Sequence, residues 1–460
     1  MNRKRWILIG LCFVTMAARG AEERTVVGWR NDGTGVWPSC GTLPRSFDFK
    51  TGENVRWTAA LPKPKGSAPL VIGGKVVVLC EPDTLVCFDA ITGKRLWTVE
   101  GGIYDSLGPE KKAQVLDLWS KLHAFDADPQ KLGRQSGDYN ALHGELTGYG
   151  GFKDHYPAPG YLCTPTPLSD GQRIYVHFSS GPMAAFDMDG KRLWLIDAAG
   201  TNYVRVSANQ ARLFDGKLVY YPGFYCNVRA LDPATGKEIW KFNTPTKHKA
   251  KTRGHAGLGS PVLVKIGNKP YIMTDACDLV DLQTGTLVAT DLGRMDGPGT
   301  PTVIGDMAVF EICAPKGAKG PSFKAVRFAM AADKVQATDV WVVENVGHLG
   351  NPIIRDGLIW FASEETHPIT IELATGKRVD QPDPKWRRFT SLDLQLADGM
   401  LIGGAAGGGL VFMEPAKEPK VLFKGSLPYA LDAPSFANGC IYYSAVGQLI
   451  CLGSGPKTRQ

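Results

Sequence analysis

The chain has 460 residues, 43% hydrophobic and 21% charged, a globular composition with enough apolar material for two or three ordinary domains or one large all-β assembly. Its formal net charge of +7 falls to about +3 without Arg3, Lys4, Arg5 and Arg19, too mild to call for nucleic acid or an anionic membrane as partner. The 54 glycines and 31 prolines favour many turns over long helices.

The chain opens with a basic head, "MNRKRW", then an apolar run, "ILIGLCFVTMAA", then Ala18 and Gly20 at the −3 and −1 positions of a cleavage site. This is the layout of a secretory signal peptide over residues 1–20. The run is short for a membrane span, and no later segment is longer. The expected mature protein, 21–460, is exported to the periplasm or beyond and has no transmembrane segment. It keeps nine cysteines without a C-x-x-C pair, so neither a zinc ribbon nor a thioredoxin-type centre is indicated. Cys80 with Cys87, and Cys440 with Cys451, flank hairpin turns; each pair reads either as a disulfide or as small buried hydrophobes.

Residues 47–57, "FDFKTGENVRW", form a strand that ends in Trp57 and lacks a companion hairpin. Unit one follows. Its first hairpin turns at Gly73-Gly74, and its second, "LVCFDAITGKRLW", turns at Gly93 and ends at Trp97. The second hairpin returns as "MAAFDMDGKRLW", with Gly190 and Trp194, and as "VRALDPATGKEIW", with Gly236 and Trp240.

Between units one and two, residues 101–162 form an insertion. "GPEKKAQVLDLWSKLHAF" reads as an amphipathic helix with Pro109 near its start and Val115, Trp119 and Leu122 on one face. The rest is rich in Gly, Tyr and His and carries His143, Asp154 and His155. Long insertions are where binding residues often lie, although this one also reads as a plain packing lid.

The first hairpin of the unit recurs through the whole chain. Its later turns are Asp170-Gly171, Asp215-Gly216, Gly267-Asn268, Gly305-Asp306, Asp356-Gly357, Asp398-Gly399 and Asn438-Gly439, about 38 to 51 residues apart. Each precedes an apolar run suited to a strand buried on both faces. Prolines 69, 165, 261, 301, 352 and 434 stand just ahead of six of them, and two further units lack theirs, around Asn209 and Asp393. The glycine run at 403–410 lies between two such strands and lacks the Lys-Ser/Thr of a phosphate loop, so it reads as a turn.

Eight units of four short strands describe an all-β, eight-bladed β-propeller. Unit eight stops after its third strand, and the orphan strand at 47–57 supplies the fourth. Residues 55–61 should therefore pair with 448–452 and close the ring, removing an exposed edge.

The motif carried by Ala230, Asp232, Thr235, Gly236, Lys237 and Trp240 resembles the tryptophan-docking repeat of pyrroloquinoline-quinone-type propellers. That superfamily holds quinoprotein alcohol dehydrogenases and the eight-bladed scaffold lipoprotein of the outer-membrane barrel-assembly machinery. The opening "VGWRNDGTGVWP" is also similar to the start of many exported propellers of this type. Under the resemblance Trp57, Trp97, Trp194 and Trp240, with Gly93, Gly190 and Gly236, are structural blade residues. The same resemblance would place a quinone on a vicinal disulfide, a tryptophan floor and a calcium or lanthanide ion. No Cys-Cys dipeptide and no haem-attachment motif occur here. The expectation is a binding or scaffolding module without cofactor or metal, a monomer whose channel face takes a protein partner or small ligand. The alternative is a periplasmic quinoprotein-type oxidoreductase, or another enzyme, using pyrroloquinoline quinone with calcium.

Candidate ligand residues follow from connectivity. His255 and His348 stand just ahead of innermost strands in matching contexts, with Arg205 ahead of unit three and Asp296 ahead of unit five. These connections leave the blades on one face of the ring, which also receives the insertion. The competing reading has each histidine capping a strand or facing water.

Overall fold

The computed structural model describes residues 27–455 except 81–82, 103, 127–140, 143, 146–164, 179–181, 197–209, 223–226, 245–258, 275, 291, 293–299, 313–321, 333, 345, 347–349, 363–367, 381–393, 405–408 and 429–432. Eight antiparallel sheets follow one another along the chain and close into a propeller. Blade one is made of Leu70–Ile72, Lys75–Cys80, Thr84–Asp89 and Arg95–Glu100. Blades two to seven begin at Leu168, Arg212, Val262, Thr302, Ile353 and Gln395. Blade eight combines Ser435–Ala437, Cys440–Ala445 and Gln448–Gly453 with Val55–Ala60 from the other end of the chain.

The turn chemistry explains the hairpins. At Asp215-Gly216 both residues have positive φ, 43° and 72°, and Asp356, Asp398 and Asn438 repeat this with their glycines. This left-handed pair matches the twist of the flanking strands. Blade two solves the turn differently. The Asp170 carboxylate accepts the backbone N–H groups of Gln172 (2.9 Å) and Arg173 (2.7 Å) and the Tyr175 hydroxyl (2.8 Å).

The second strands are apolar along their middles because each faces two neighbours. In blade one, Val76, Val78 and Cys80 pack toward blade eight, while Val77 and Leu79 pack toward blade two. Cys87 lies on the blade-two face, opposite in orientation to Cys80, so the disulfide reading for that pair is wrong. Strand alternation, which the even-looking spacing concealed, separates the two sulfurs. Cys440 and Cys451 do share one face, and both are free thiols.

Between blades the tryptophans act as staples. Trp57, Trp97, Trp194 and Trp240 donate their indole N–H to the carbonyls of Ala90, Met188, Pro233 and Leu282 in the next blade, at 2.8–3.2 Å. Each ring lies on the next blade's turn glycine, and a Cβ on Gly93, Gly190, Gly236 or Gly285 would come within 2.6–3.0 Å of it. These glycines are required for close approach as well as for positive φ. Trp341 makes the same contact with Gly376 and the Leu373 carbonyl (2.8 Å), although its hairpin lacks the sequence motif.

Blade six departs from the pattern. Among the described residues it has three strands, and Asp380 stands four residues after the turn glycine, where blades one to three have tryptophan. Its carboxylate accepts the Thr370 N–H (2.9 Å), replacing a ladder bond, and holds Arg378 at 2.8 Å. The staple to blade seven comes instead from Trp360, on the second strand, which donates to the Ala416 carbonyl at 2.8 Å.

Ring closure is as the orphan strand requires. Val55 pairs with Leu452 and Ala60 with Gln448, and Val55, Trp57 and Ala59 are buried. The insertion contains the helix Pro109–Asp126, which buries Val115, Leu118, Trp119 and Leu122 around Tyr104. Trp119 Nε1 donates to the Tyr104 hydroxyl at 2.9 Å. No described helix is long and apolar enough to cross a membrane.

Candidate ligand-binding channel

The first strands of adjacent blades touch one another, as those of blades eight, one and two do, so they line the central channel. At the head of these strands a belt of hydrogen bonds runs from blade to blade. The Thr166 N–H donates to Gln210 Oε1 (2.7 Å), the Gln210 N–H to Ser260 Oγ (3.1 Å), the Ser260 N–H to Thr300 Oγ1 (3.0 Å), and the Thr300 N–H to Asn351 Oδ1 (2.7 Å). Gln395 Nε2 continues to the Pro434 carbonyl (2.6 Å), and the Ser435 hydroxyl donates to the Pro69 carbonyl. Three of the belt residues immediately precede the prolines noted in the sequence. Gln210 and Gln395 stand in the two units whose proline is missing.

One end of the channel is occupied by the chain itself. The "VGWRNDGTGVWP" segment enters with Val27 paired to Ser169 of blade two, and Val36–Trp37 then add a parallel fifth strand to the inner edge of blade seven. Arg30, 3% exposed, donates to the carbonyls of Pro352 (3.0 Å) and Leu394 (3.1 Å), joining blades six and seven. Trp37 donates to Gln395 Oε1 at 2.6 Å and meets Phe436 edge-on at 5.3 Å. The Arg212 guanidinium donates to the carbonyls of Trp29 and Asp32, and burial pulls it down to about 10 against the opposing pull of Asp32. The segment leaves beside the turns of blades seven and eight, where the Leu43 N–H meets the Asp398 carboxylate (2.9 Å) and the Gly439 N–H the Cys40 carbonyl (2.6 Å). The segment is thus a plug on the face of the first hairpin turns.

A cavity of about 290 Å³ remains between the plug and blades two to five, lined in part by Trp29, Asp32, Arg212, Phe214, Leu263 and Thr300. The belt side chains are spent on inter-blade bonds, and the charged side chains in the cavity lining are Asp32 and Arg212, one from the plug and one from blade three. The candidates His143, Asp154, His155, Arg205, His255, Asp296 and His348 all lie outside the described residues. His177 is buried between blades two and three, edge-on to Tyr220 at 5.4 Å. Among the described residues no three His, Cys, Asp or Glu side chains gather as a metal site. Sequence reasoning missed the plug and the side-chain belt; the signals for the belt were the Ser-Pro, Thr-Pro and Asn-Pro pairs at 260, 300 and 351.

A family model described as outer membrane protein assembly factor BamB matches residues 45–119 and 155–274, together less than half of the chain. No curated protein matches the sequence. Among solved structures, BamB from Moraxella catarrhalis is similar at 12% identity and a TM-score of 0.53, covering 87% of this chain and 99% of that one. Quinohemoprotein alcohol dehydrogenase from Comamonas testosteroni is similar at 12% identity and a TM-score of 0.52, covering 88% of this chain and 77% of that one. A computationally designed protein, Ika8, gives a TM-score of 0.54 at 11% identity, covering 86% of this chain and 99% of that one. At such identities the likeness is one of fold, and the fold is the eight-bladed propeller of the pyrroloquinoline-quinone type.

Proposed function

We propose that the protein is an exported binding or scaffolding propeller whose ligand or protein partner docks at the channel mouth opposite the plug. The observation that carries this is the plug, which occupies one end of the channel and leaves approach from the face that receives the inter-blade connections. Arg205, His255, Asp296 and His348 precede the belt residues Gln210, Ser260, Thr300 and Asn351 by five residues or fewer. At most about 18 Å of extended chain therefore separates each from the channel wall. His143, Asp154 and His155 belong to the insertion between blades one and two, itself one of the inter-blade connections. Polar groups converging on a channel mouth are what a small-ligand site needs. Export is supported by the basic head and apolar run, and by the likeness in fold to an outer-membrane assembly factor.

The test is native mass spectrometry of the mature protein purified from its own host compartment, comparing native with the His255→Ala/His348→Ala variant. A bound species lost from the variant, with unchanged unfolding, is expected; equal retention refutes the site. The fold likeness to a quinohemoprotein dehydrogenase favours a second reading, an oxidoreductase. Dye reduction by an alcohol after addition of pyrroloquinoline quinone and calcium would establish that reading and overturn the cofactor-free one.

A further inference from the structure

Blade eight carries two sulfurs that the propeller architecture does not need. Cys440 opens the second strand opposite Gly453, and Cys451 lies on the third strand opposite Tyr442. The two are diagonal neighbours on one face of the hairpin, within the buried cluster that contains Trp57 and Tyr442. Cys440 is 3% exposed and Cys451 is fully buried.

A cation has been brought to this pair. Arg56, on the closing strand, donates Nη1–H to Cys440 Sγ at 3.6 Å. Among the described residues Arg56 makes no ion pair with a carboxylate, and its buried Nε has no hydrogen-bond partner. A half-buried guanidinium left without a counter-charge is costly, and a thiolate at Cys440 would supply one. Gly453 makes the approach possible, since a Cβ there would sit 2.7 Å from Cys440 Sγ and 2.9 Å from Arg56 Cδ. The neighbouring Cys451 thiol and, after it, the Arg56 guanidinium pull the Cys440 thiol down despite burial. Cys451 is pushed the opposite way, up, by its pairing with Cys440 and by burial.

We propose that Cys440 and Cys451 form a peroxide-reactive dithiol, with Cys440 the attacking thiolate, Arg56 its counter-ion and Cys451 the resolving thiol. The oxidant is a hydroperoxide as small as hydrogen peroxide, which suits a sulfur so nearly enclosed. The Cys440 thiolate attacks one peroxide oxygen and the O–O bond breaks, leaving a sulfenic acid and hydroxide, which takes up a proton to become water. The Cys451 sulfur, giving up its proton, then attacks the Cys440 sulfur. The S–S bond forms, the S–O bond breaks, and a second water leaves. Two thiols lose two electrons and two protons, and one peroxide becomes two waters. The product ties the two central strands of the closing blade together beside Trp57.

The experiment uses the full mature protein, reduced, desalted and exposed to hydrogen peroxide at pH 7, followed by tryptic mass analysis. Residues 425–457 form one peptide that contains both cysteines and no methionine, so oxidation should make it two hydrogens lighter. In Cys451→Ser, dimedone should label Cys440; in Cys440→Ser, Cys451 should remain unlabelled. Arg56→Met keeps the aliphatic packing and should slow oxidation by about tenfold, with folding of each variant confirmed by cooperative urea unfolding. A peptide that keeps its dithiol mass in folded protein while the urea-unfolded chain oxidises would overturn the proposal. So would dimedone labelling of Cys451 instead of Cys440, or an Arg56→Met protein that reacts as fast as the native one.

Discussion

Replacing Trp57 by alanine tests the closure of the ring at one side chain. Trp57 is 3% exposed, stacks on the Gly93 turn of blade one and donates to the Ala90 carbonyl at 3.2 Å. Truncation removes the largest side chain of the closing strand and leaves a cavity between rigid sheets that cannot collapse into it, a loss of about 3–5 kcal/mol. No further penalty for an orphaned carbonyl is due, because the Tyr442 hydroxyl also donates to Ala90 at 3.2 Å. Urea unfolding followed by near-ultraviolet circular dichroism reads the loss as a shift in midpoint at constant slope. Trp97, whose ring makes the same contact between blades one and two but is only half-buried, should lose less. Deleting residues 47–61 should destabilise the ring further, by exposing the free edge of Gln448–Gly453. A Trp57→Ala loss below about 1 kcal/mol, or a deletion that unfolds no more easily than the full chain, would refute strand-pairing as what closes the ring.

Two further outcomes separate local from inter-blade effects. Gly236→Ala must strain a φ of +72° and drive a Cβ to 2.8 Å from the Trp194 ring, whereas Gly216→Ala has the same φ and nothing within 4 Å. The first should cost about 2–4 kcal/mol and the second about 1–2 kcal/mol in urea unfolding, and equal losses would remove the docking role of the glycine. At Asp170, burial favours the neutral acid, but the Gln172 and Arg173 N–H groups and the Tyr175 hydroxyl outweigh it and hold the carboxyl below its usual range. Its contribution to stability is complete above the unfolded-state pKa of about 3.9 and is lost as pH falls through the lower folded-state value. Asp170→Asn should therefore lower the melting temperature at pH 7 and flatten its decline below pH 4; parallel curves for the two proteins would contradict this.

What could be read in the sequence was whatever repeats at short range. Hairpin turns show because Asp-Gly and Asn-Gly satisfy a local φ requirement, and the tryptophan staples show because turn glycine and ring lie four residues apart in the motif, as in Gly236 and Trp240. Where a different residue took over a role, the signal vanished. Trp341 staples blade five to blade six without the motif, and Trp360 staples blade six to blade seven from a strand the motif does not use. Asp380 takes the tryptophan's place in blade six and caps a neighbouring strand. The belt was half visible, as prolines, because proline constrains its own φ and the residue before it, while the side chain making the bond varies among Gln, Ser, Thr and Asn.

The plug was illegible for a stronger reason. Its two-residue strand has no period, and the groups that hold it come from far along the chain: the carbonyls of Pro352 and Leu394 for Arg30, the Gln395 side chain for Trp37. Nothing local distinguishes such a segment from a tail. Its composition makes sense only inside the ring, where buried guanidinium groups need carbonyl partners and the blades' inner edges supply them. The same logic bears on binding. The belt ties most neighbouring blades together and the plug fills one end of the channel, so under the proposed function chemical selectivity falls to the connections at the opposite mouth. Repeat spacing nominated His255, Asp296 and His348 because they stand just ahead of first strands, but the connections follow no blade repeat, so spacing carried no signal for their role.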